Sequence, residues 1–449
     1  MKPPAISDFP LHHPDSGKMK AIDRDILNIA LPAIVSNITV PLLGLVDVTI
    51  VGHIGGASTI GAIAVGSMVF NVIYWIFGFL RMGTSGITAQ AFGRHDTAGI
   101  SGTLFRSLSV GLLTGVAFVC LQSLLWQCAV FLIRPTADIV TPASRYFDIC
   151  IWGAPATLGL YSLTGWYIGM QDTKTPMVIS IMQNVLNIAC SLFFVFVLGK
   201  GIEGVAFGTL TAQYAGLFTA LVMLRRYPRH VGACRRADFL DMPALLRFFT
   251  VNRDIFLRTL FLVAVNLFFT SAGARQGAVI LSVNTLLFQL FTLYSYVMDG
   301  FAYAGEALGG RHYGARDKAM FCLTVRRLFG WSLLLTAAYT ILYYTGGTPF
   351  LNLLTDDAAV VAAAHTYMPW AWAIPIAGMG AFYWDGLYIG MTASRGMLAS
   401  TFCGAAVFFA TWLLLQPSLA NHALWLALLL YLVTRGIVQT LLFRRYALK

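Results

Sequence analysis

Residues 165–170 read GWYIGM, and almost the same six residues, GLYIGM, return at 386–391. Two further motifs recur in related form: AFGRHD at 91–96 with HYGARD at 312–317, and LRRY at 224–227 with FRRY at 443–446. The spacing is 221 residues for the first two pairs and 219 for the third. Three near-equal spacings indicate that the chain consists of two homologous halves.

Composition places both halves in a membrane. Only 11% of the 449 residues are charged, whereas a soluble domain carries about 25%. The mean hydropathy is +0.73, and crossing the hydrocarbon takes about 20 apolar residues in a helix. Twelve such runs lie near 26–51, 60–82, 104–132, 149–170, 177–198, 205–224, 255–274, 278–307, 328–344, 368–391, 397–415 and 422–443. They are too long for barrel strands, so we predict an all-α integral membrane protein with twelve transmembrane helices in two six-helix lobes.

Basic residues predict the orientation, because short cytoplasmic loops are enriched in Lys and Arg. With the N-terminus inside, the even-numbered loops contain Arg94, Lys174, Arg311, Arg316, Lys318 and Arg395. Both termini and the arginine-rich centre of the chain are therefore predicted to be cytoplasmic. We expect a disordered tail at 1–20, which lacks the apolar core of a signal peptide. An N-lobe at 21–227, a linker at 228–250 and a C-lobe at 251–449 follow.

An even number of spans in each half keeps the two copies in the same orientation. Parallel repeats of this kind place a substrate path between the halves, which predicts a transporter. The sequence has no H-E-x-x-H, G-x-S-x-G or phosphate-binding loop, so we predict neither an enzyme nor an ATP-driven pump. The seven cysteines form no C-x-x-C pair, which argues against a metal or redox site. No Phe, Tyr or Trp that could stack on bases lies among the arginines at 229–236 of the linker. We therefore interpret the linker as a topogenic segment that contacts membrane lipids rather than nucleic acid.

Asp47 is the most informative ionisable residue within a span. It lies in the first run without a basic residue within a helical turn. Such a carboxyl in a low-dielectric cavity can exchange a proton in the physiological range. Pro32 and Pro41 each remove a backbone hydrogen bond and can bend that helix. Protonation of Asp47 could therefore switch the helix conformation. The alternative is a neutral aspartate bonded to a neighbouring helix or exposed at the outer end of the span.

Polar residues elsewhere suggest further sites. Asn184 and Asn187 are three apart, share a helix face, and could line a pocket with Asn37 and Asp47. Interhelical packing is an equal alternative.

In the second half, Asp299 and Glu306 could form an ion site or pair with Arg258, and structural salt bridging is the favoured role. Asp385 occupies the position of Thr164 in the repeat. Its aromatic neighbours suit a cationic guest, although interfacial packing is the commoner role of such rings.

The whole chain beyond its N-terminus resembles the multidrug and toxic compound extrusion (MATE) transporters, closely so their DNA-damage-inducible protein F (DinF) branch. The motifs that carry this resemblance are LPAIVSNITVPLLGLVDVTIVGHIG at 31–55, RMGTSGITAQAFG at 81–93, DGFAYAGEA at 299–307, YGARD at 313–317 and NHALWLAL at 421–428. The resemblance implies a V-shaped molecule with a central cavity. It also implies a monomeric exporter of organic cations and amphipathic drugs in a bacterial inner membrane, driven by inward flow of H⁺ or Na⁺.

The family's functional positions match in part. Its acidic first-span residue, helix-bending proline and fifth-span asparagine correspond to Asp47, Pro32 and Asn187. Where the family often has an aspartate, this chain has Ser191, which leaves Asp47 as the sole carboxyl of that site. We therefore expect H⁺ coupling rather than Na⁺, with no metal and no cofactor beyond the coupling ion.

Two other functions remain open from the sequence. A flippase of lipid-linked precursors would need an arginine-lined cavity, for which Arg258 alone is a candidate. A lipid-modifying enzyme would need clustered His, Asp or Ser groups at one interface, which we do not find.

Overall fold

The computed structural model describes residues 16–52, 57–232, 241–354 and 357–447. These residues form twelve long helices, several of them interrupted, which we number α1 to α12. The first six are α1 (Ser16–Gly52), α2 (Ala57–Phe77 and Phe79–Gly93), α3 (Thr97–Cys120 and Gln122–Ile133), α4 (Ala137–Cys150 and Ala154–Gly169), α5 (Lys174–Leu192) and α6 (Gly201–Met223). The second six are α7 (Met242–Ala274), α8 (Ala278–Ala304, continued by Gly305–Gly309 and Gly310–Gly314), α9 (Lys318–Leu354), α10 (Ala358–Gly390), α11 (Ser394–Leu419) and α12 (Asn421–Ala447).

The twelve predicted spans are confirmed. Within the described ranges, nine helices are long and apolar enough to cross a membrane, and α1, α4 and α10 complete the set. Two boundaries differ from our prediction. Helix α1 already begins at Ser16, so the last five residues of the predicted tail are helical. Helix α7 begins at Met242 within the predicted linker, because the Asp241 side chain accepts a hydrogen bond from the backbone N–H of Ala244 and caps the helix.

The loops repeat as closely as the helices. His95 and Arg316, which are equivalent in the two halves, both adopt a left-handed φ of 57° at the end of a helix. The next residue caps the following helix in each half. Asp96 accepts from the N–H of Gly99 at 2.8 Å, and Asp317 accepts from the N–H of Met320 at 3.0 Å. The duplication seen in the sequence is therefore a duplication of backbone geometry.

The motif GWYIGM/GLYIGM supplies an equivalent bond in each lobe. The Tyr167 hydroxyl donates to the Ala220 carbonyl at 2.7 Å, and the Tyr388 hydroxyl donates to the Gln439 carbonyl at 2.6 Å. Each bond joins the fourth helix of a lobe to its sixth. A buried hydroxyl needs such a partner, which explains why a tyrosine occurs at the same position in both copies.

We call the end of the bundle with the loops at 94–96, 170–173, 315–317 and 391–393 the basic end. There the two lobes meet about a pseudo-two-fold axis. A Cβ on Gly93 would lie 1.9 Å from the Arg311 carbonyl oxygen, and one on Gly314 would lie 2.3 Å from the Gln90 carbonyl oxygen. The repeat maps each of these contacts onto the other, because Gly93 corresponds to Gly314 and Gln90 corresponds to Arg311. Such an interface is self-complementary. Glycine at both positions lets α2 and α8 touch backbone to backbone.

The apolar cores show where the lobes separate. One cluster contains only C-lobe residues, between Val265 and Leu432, and another contains only N-lobe residues, between Ile50 and Ala206. A third cluster lies toward the basic end and mixes the lobes, because it contains Ile22 and Ile168 of the N-lobe together with Phe301 and Leu387 of the C-lobe. The lobes therefore join at the basic end and diverge toward the other end as a V.

Replacing Gly93 by Ala should destabilise the joined basic end by about 1–3 kcal/mol, because the new methyl group overlaps backbone that cannot move alone. The matched control is Gly330→Ala on α9, where an added Cβ meets nothing within 4 Å. The thermal midpoint of the purified protein measures both effects. Equal midpoints for the two variants would contradict the close approach described above.

Candidate functional site

Helix α1 contacts both lobes. Its first turns pack in the C-lobe, where the Asp23 carboxylate accepts from the Arg327 Nε at 2.8 Å and from the Trp331 indole at 3.0 Å. Further along, the Thr39 hydroxyl lies 3.3 Å from that of Ser180 on α5. Helix α1 is therefore bonded to both halves of the molecule.

Pro32 lies buried in α1, and the helix continues through it. Because proline has no N–H, the carbonyl one turn earlier, on Asn28, loses its helical donor. The Thr173 hydroxyl points at this place from the α4–α5 loop, 3.5 Å from the Asn28 oxygen and 2.9 Å from the Ile29 oxygen. The break in the α1 hydrogen-bond ladder is thus next to a donor from a loop of the N-lobe.

The backbones of Pro41 and Asp47 lie within α1, while their side chains fall outside the described part of the chain. The polar groups nearest along the helix are described. The Asn184 amide on α5 donates to the Thr39 carbonyl at 3.1 Å, and the Asn37 amide donates to the Tyr296 carbonyl on α8 at 3.1 Å. Asn37 and Asn184 therefore tie α1 to the C-lobe and the N-lobe, respectively.

Asn187 and Ser191 form a separate contact. The Asn187 amide donates to the Thr209 hydroxyl on α6 at 3.0 Å, and Ser191 donates to the Asn187 oxygen at 3.4 Å. Asn187 and Ser191 are both fully buried between α5 and α6. Asn184 and Asn187 thus bond to different helices, α1 and α6, whereas their spacing in the sequence allows either a shared pocket or interhelical packing.

Arg258 pairs with neither Asp299 nor Glu306, contrary to the option raised from the sequence. It binds Asp385 on α10, which also accepts from Arg435 on α12 at 2.6 Å and from Gln439 at 2.7 Å. Two buried arginines thus share one buried carboxylate within the C-lobe. The neighbouring rings are engaged as well, because the Tyr383 hydroxyl and the Trp384 indole donate to Val325 and Thr440.

Glu306 pairs across the lobes with Arg81. The Arg81 guanidinium lies 3.2 Å from the Glu306 carboxylate and 4.3 Å from the centre of the Tyr303 ring, and Ser85 donates to the same carboxylate. Ser85 and Glu306 are equivalent in the repeat, since they are 221 residues apart. The pair therefore lies at the pseudo-two-fold axis, where helices α2 and α8 cross.

Asp299 lies two turns before Glu306 on α8 and is half-buried. Its carboxylate accepts from Ser295 at 3.5 Å, and no basic side chain in the described ranges lies within 4 Å of it. Around this point, three arginines and three carboxylates gather within the helices: Arg81, Arg258, Arg435, Asp299, Glu306 and Asp385. Glu306 and Asp385 pair with the three arginines, as ionisable residues within membrane spans usually do.

Several members of this network are not predicted from the sequence. It assigns Arg435, Gln439 and Ser85 to no site, and it offers Arg258 on α7, rather than Arg81 on α2, as the partner of Glu306. The repeat spacing of 221 could have identified Ser85, because equivalent residues meet at a two-fold axis. No group of three or more His, Cys, Asp or Glu side chains in the described residues could hold a metal ion.

Comparison with known proteins identifies relatives of this chain. The MatE family model matches residues 32–193 and 255–414. The chain is 34% identical to DNA damage-inducible protein F of Escherichia coli strain K12, over 94% of this chain and 92% of that protein. It is 27% identical to the chloroplastic protein DETOXIFICATION 44 of Arabidopsis thaliana, over 94% and 82% of the two chains. A crystal structure of MATE in the bent conformation has the same fold, with a TM-score of 0.86 at 18% identity over 95% of this chain and 96% of the other.

Replacing Asp385 by Asn should destabilise the protein by about 3–5 kcal/mol, because two buried arginines lose the carboxylate that both of them bind. The matched control is Glu203→Gln, which breaks an exposed pair with Arg145 at 3.7 Å and should cost about 0–1 kcal/mol. The yield of folded protein and its thermal midpoint measure both. A control as damaged as Asp385→Asn would show that the buried charge cluster is not the cause.

Replacing Asp23 by Asn should loosen the start of α1 by about 1–2 kcal/mol, because a charge-assisted bond to Arg327 is lost. Hydrogen exchange of residues 16–30 measures this loosening. The exposed Asp25→Asn is the control and should exchange like the wild type.

The hydrogen bond from Arg327 lowers the pKa of Asp23 below its ordinary 3.8. The stabilising bond between Asp23 and Arg327 is therefore fully present above pH 3.8, the ordinary pKa, and it is lost as the pH falls through the lowered pKa of Asp23. Protection that persists in Asp23→Asn would contradict this role.

Proposed function

Because this chain belongs to the multidrug and toxic compound extrusion family, we propose that it exports organic cations and amphipathic compounds in exchange for an inward-moving cation. The architecture supports this function. Two parallel repeats diverge from one joined end, so the cleft between them can face either side of the membrane in turn. The chain is a multi-pass membrane protein, and we place it in a bacterial inner membrane with the basic end in the cytoplasm.

The proposal rests on the position of α1 between the two lobes. This helix holds Asp47, and it is bonded to the C-lobe through Asp23 and to the N-lobe through Thr39. A change of charge at Asp47 can bend α1 near Pro41 and so move one lobe relative to the other. Helix α1 can also bend at Pro32, where the helical hydrogen bond is missing and Thr173 donates to the preceding carbonyls instead.

We favour H⁺ as the coupling ion. A Na⁺ site in the N-lobe would need several oxygen ligands, as hard cations do. In α5, the position that could provide a second carboxylate holds Ser191, which is bonded to Asn187, and Asn187 in turn donates to Thr209. A single carboxyl at Asp47 suits a proton better than a caged cation.

The cycle follows from these parts. With Asp47 ionised, the cleft holds a cationic substrate by charge attraction. Protonation from the outside removes that charge, bends α1 and releases the substrate outward. The proton then leaves toward the cytoplasm when the lobes reopen at the basic end.

A flippase of lipid-linked precursors is the second candidate, and the charge pairing disfavours it. Binding a pyrophosphate would need arginines with free charge facing the cleft. Arg81 donates to Glu306, and both Arg258 and Arg435 donate to Asp385. These three cations are already matched by carboxylates inside the protein.

Uptake of a fluorescent organic cation into inverted membrane vesicles tests the proposal under separately imposed H⁺ and Na⁺ gradients. We expect wild-type transport with the H⁺ gradient alone and its loss in Asp47→Asn, since the amide cannot exchange a proton. Asp148→Asn makes the same substitution at an exposed residue and should transport normally. Full activity of Asp47→Asn, or transport driven only by Na⁺, would overturn Asp47 as the proton site.

A further inference from the structure

The Glu306 carboxylate has an unusual set of partners. It is 1% exposed, and its two hydrogen-bond donors in the described chain, Arg81 and Ser85, both belong to α2. Glu306 itself is on α8. A buried C-lobe charge is therefore balanced by groups of the N-lobe, whereas Asp385 and Asp254, which are also buried C-lobe carboxylates, are bound by partners of their own lobe.

Below this pair, the lobes are joined down to the basic end. The Gln90 amide donates to the Gly390 carbonyl at 2.8 Å, and Arg247 donates to the Gln90 oxygen at 2.6 Å. The contact at Gly93 lies two helical turns beyond Ser85, which is about 12 Å along α2 at 1.5 Å per residue. Opening the basic end requires α2 and α8 to part, and this motion separates Glu306 from both of its donors.

A carboxylate that loses its cation in a low-dielectric site must be hydrated or protonated. The neutral carboxyl has no need of the Arg81 cation. Protonation of Glu306 removes the charge attraction to Arg81 that holds the lobes together. Separation of the lobes removes the cation that opposes protonation. The two events therefore favour each other. The same reasoning does not apply to Asp385, which keeps its arginines in either arrangement of the lobes.

Other charged and titratable groups lie on the helices around Glu306. Arg258 on α7 and Asp299 and Tyr303 on α8 interact with its charge, and Asp385 on α10 binds Arg258. Arg258 is already paired with Asp385, and Asp299 is itself a carboxylate, so neither residue can take the place of Arg81 beside Glu306. Within this group, Arg81 is the cation that leaves Glu306 when the lobes part.

We propose that Arg81 and Glu306 form a latch between the lobes, which protonation of Glu306 releases so that the basic end can open. The latch refines the alternating-access cycle proposed above and rests on it. It adds a second proton-accepting carboxyl, distinct from Asp47, whose role is to control the cytoplasmic opening. Ser85 is a positioning residue that fixes the carboxylate toward Arg81.

Distance measurement by double electron–electron resonance tests the latch without any substrate. Spin labels go on Thr97→Cys and Lys318→Cys, in a chain whose seven native cysteines are replaced. Both labelled positions are exposed, equivalent in the repeat, and on opposite lobes at the basic end. In the wild type, we expect the short distance at neutral pH and a growing longer-distance population as the pH falls.

Glu306→Gln should show the longer distance as its main population at every pH, with the titration lost. Glu203→Gln, which alters an exposed pair within the N-lobe, should titrate like the wild type. A Glu306→Gln protein with the wild-type distances and titration would overturn the latch.

Ser85→Ala provides a milder test if Glu306→Gln fails to fold. Removing one donor should move the opening to higher pH, and an unchanged profile would contradict the proposal. Because the readout is a distance, failure of the latch is separable from failure of coupling at Asp47, which is measured by transport.

Discussion

The backbone contact between α2 and α8 at the pseudo-two-fold axis is the constraint on which the rest of the structure depends. Gly93 and Gly314 allow each helix to reach a carbonyl of the other, and neither contact tolerates a Cβ. The lobes are thereby joined at one end. Their separate apolar cores at the other end then leave a cleft between them, which an exporter of amphipathic compounds requires.

The backbone of the two halves is repeated, but the chemistry is not. At equivalent positions, Ser85 faces Glu306, and Thr164 of the N-lobe corresponds to Asp385 of the C-lobe. Among the described residues, the C-lobe thus carries most of the buried charge, while the N-lobe contributes Arg106 and, at the axis, Arg81. In the proposed cycle, this uneven distribution of charge is what allows protonation of a few defined carboxyls to move the two lobes relative to each other.

The sequence predicted what depends on local hydrophobicity and on the repeat: twelve spans, two lobes and their parallel relation. It also identified Asp299, Glu306, Arg258 and Asp385 as ionisable residues within spans. It did not predict their partners, because pairing depends on how helices from distant parts of the chain rotate against each other. The docking of α1 on the C-lobe through Asp23 was missed for the same reason, since its partner Arg327 lies 304 residues away.

Locking α2 to the loop that follows α10 at the basic end, and then measuring transport, tests most directly whether the lobes open there. Gln90 and Thr392 lie on opposite lobes, with side-chain atoms 3.2 Å apart. Replacing both by cysteine in a chain free of other cysteines allows them to be joined by a short, reducible thiol cross-linker. We predict that organic-cation transport stops when the lobes are linked and returns on reduction. Transport that continues in the linked protein would contradict the opening of the lobes at this end.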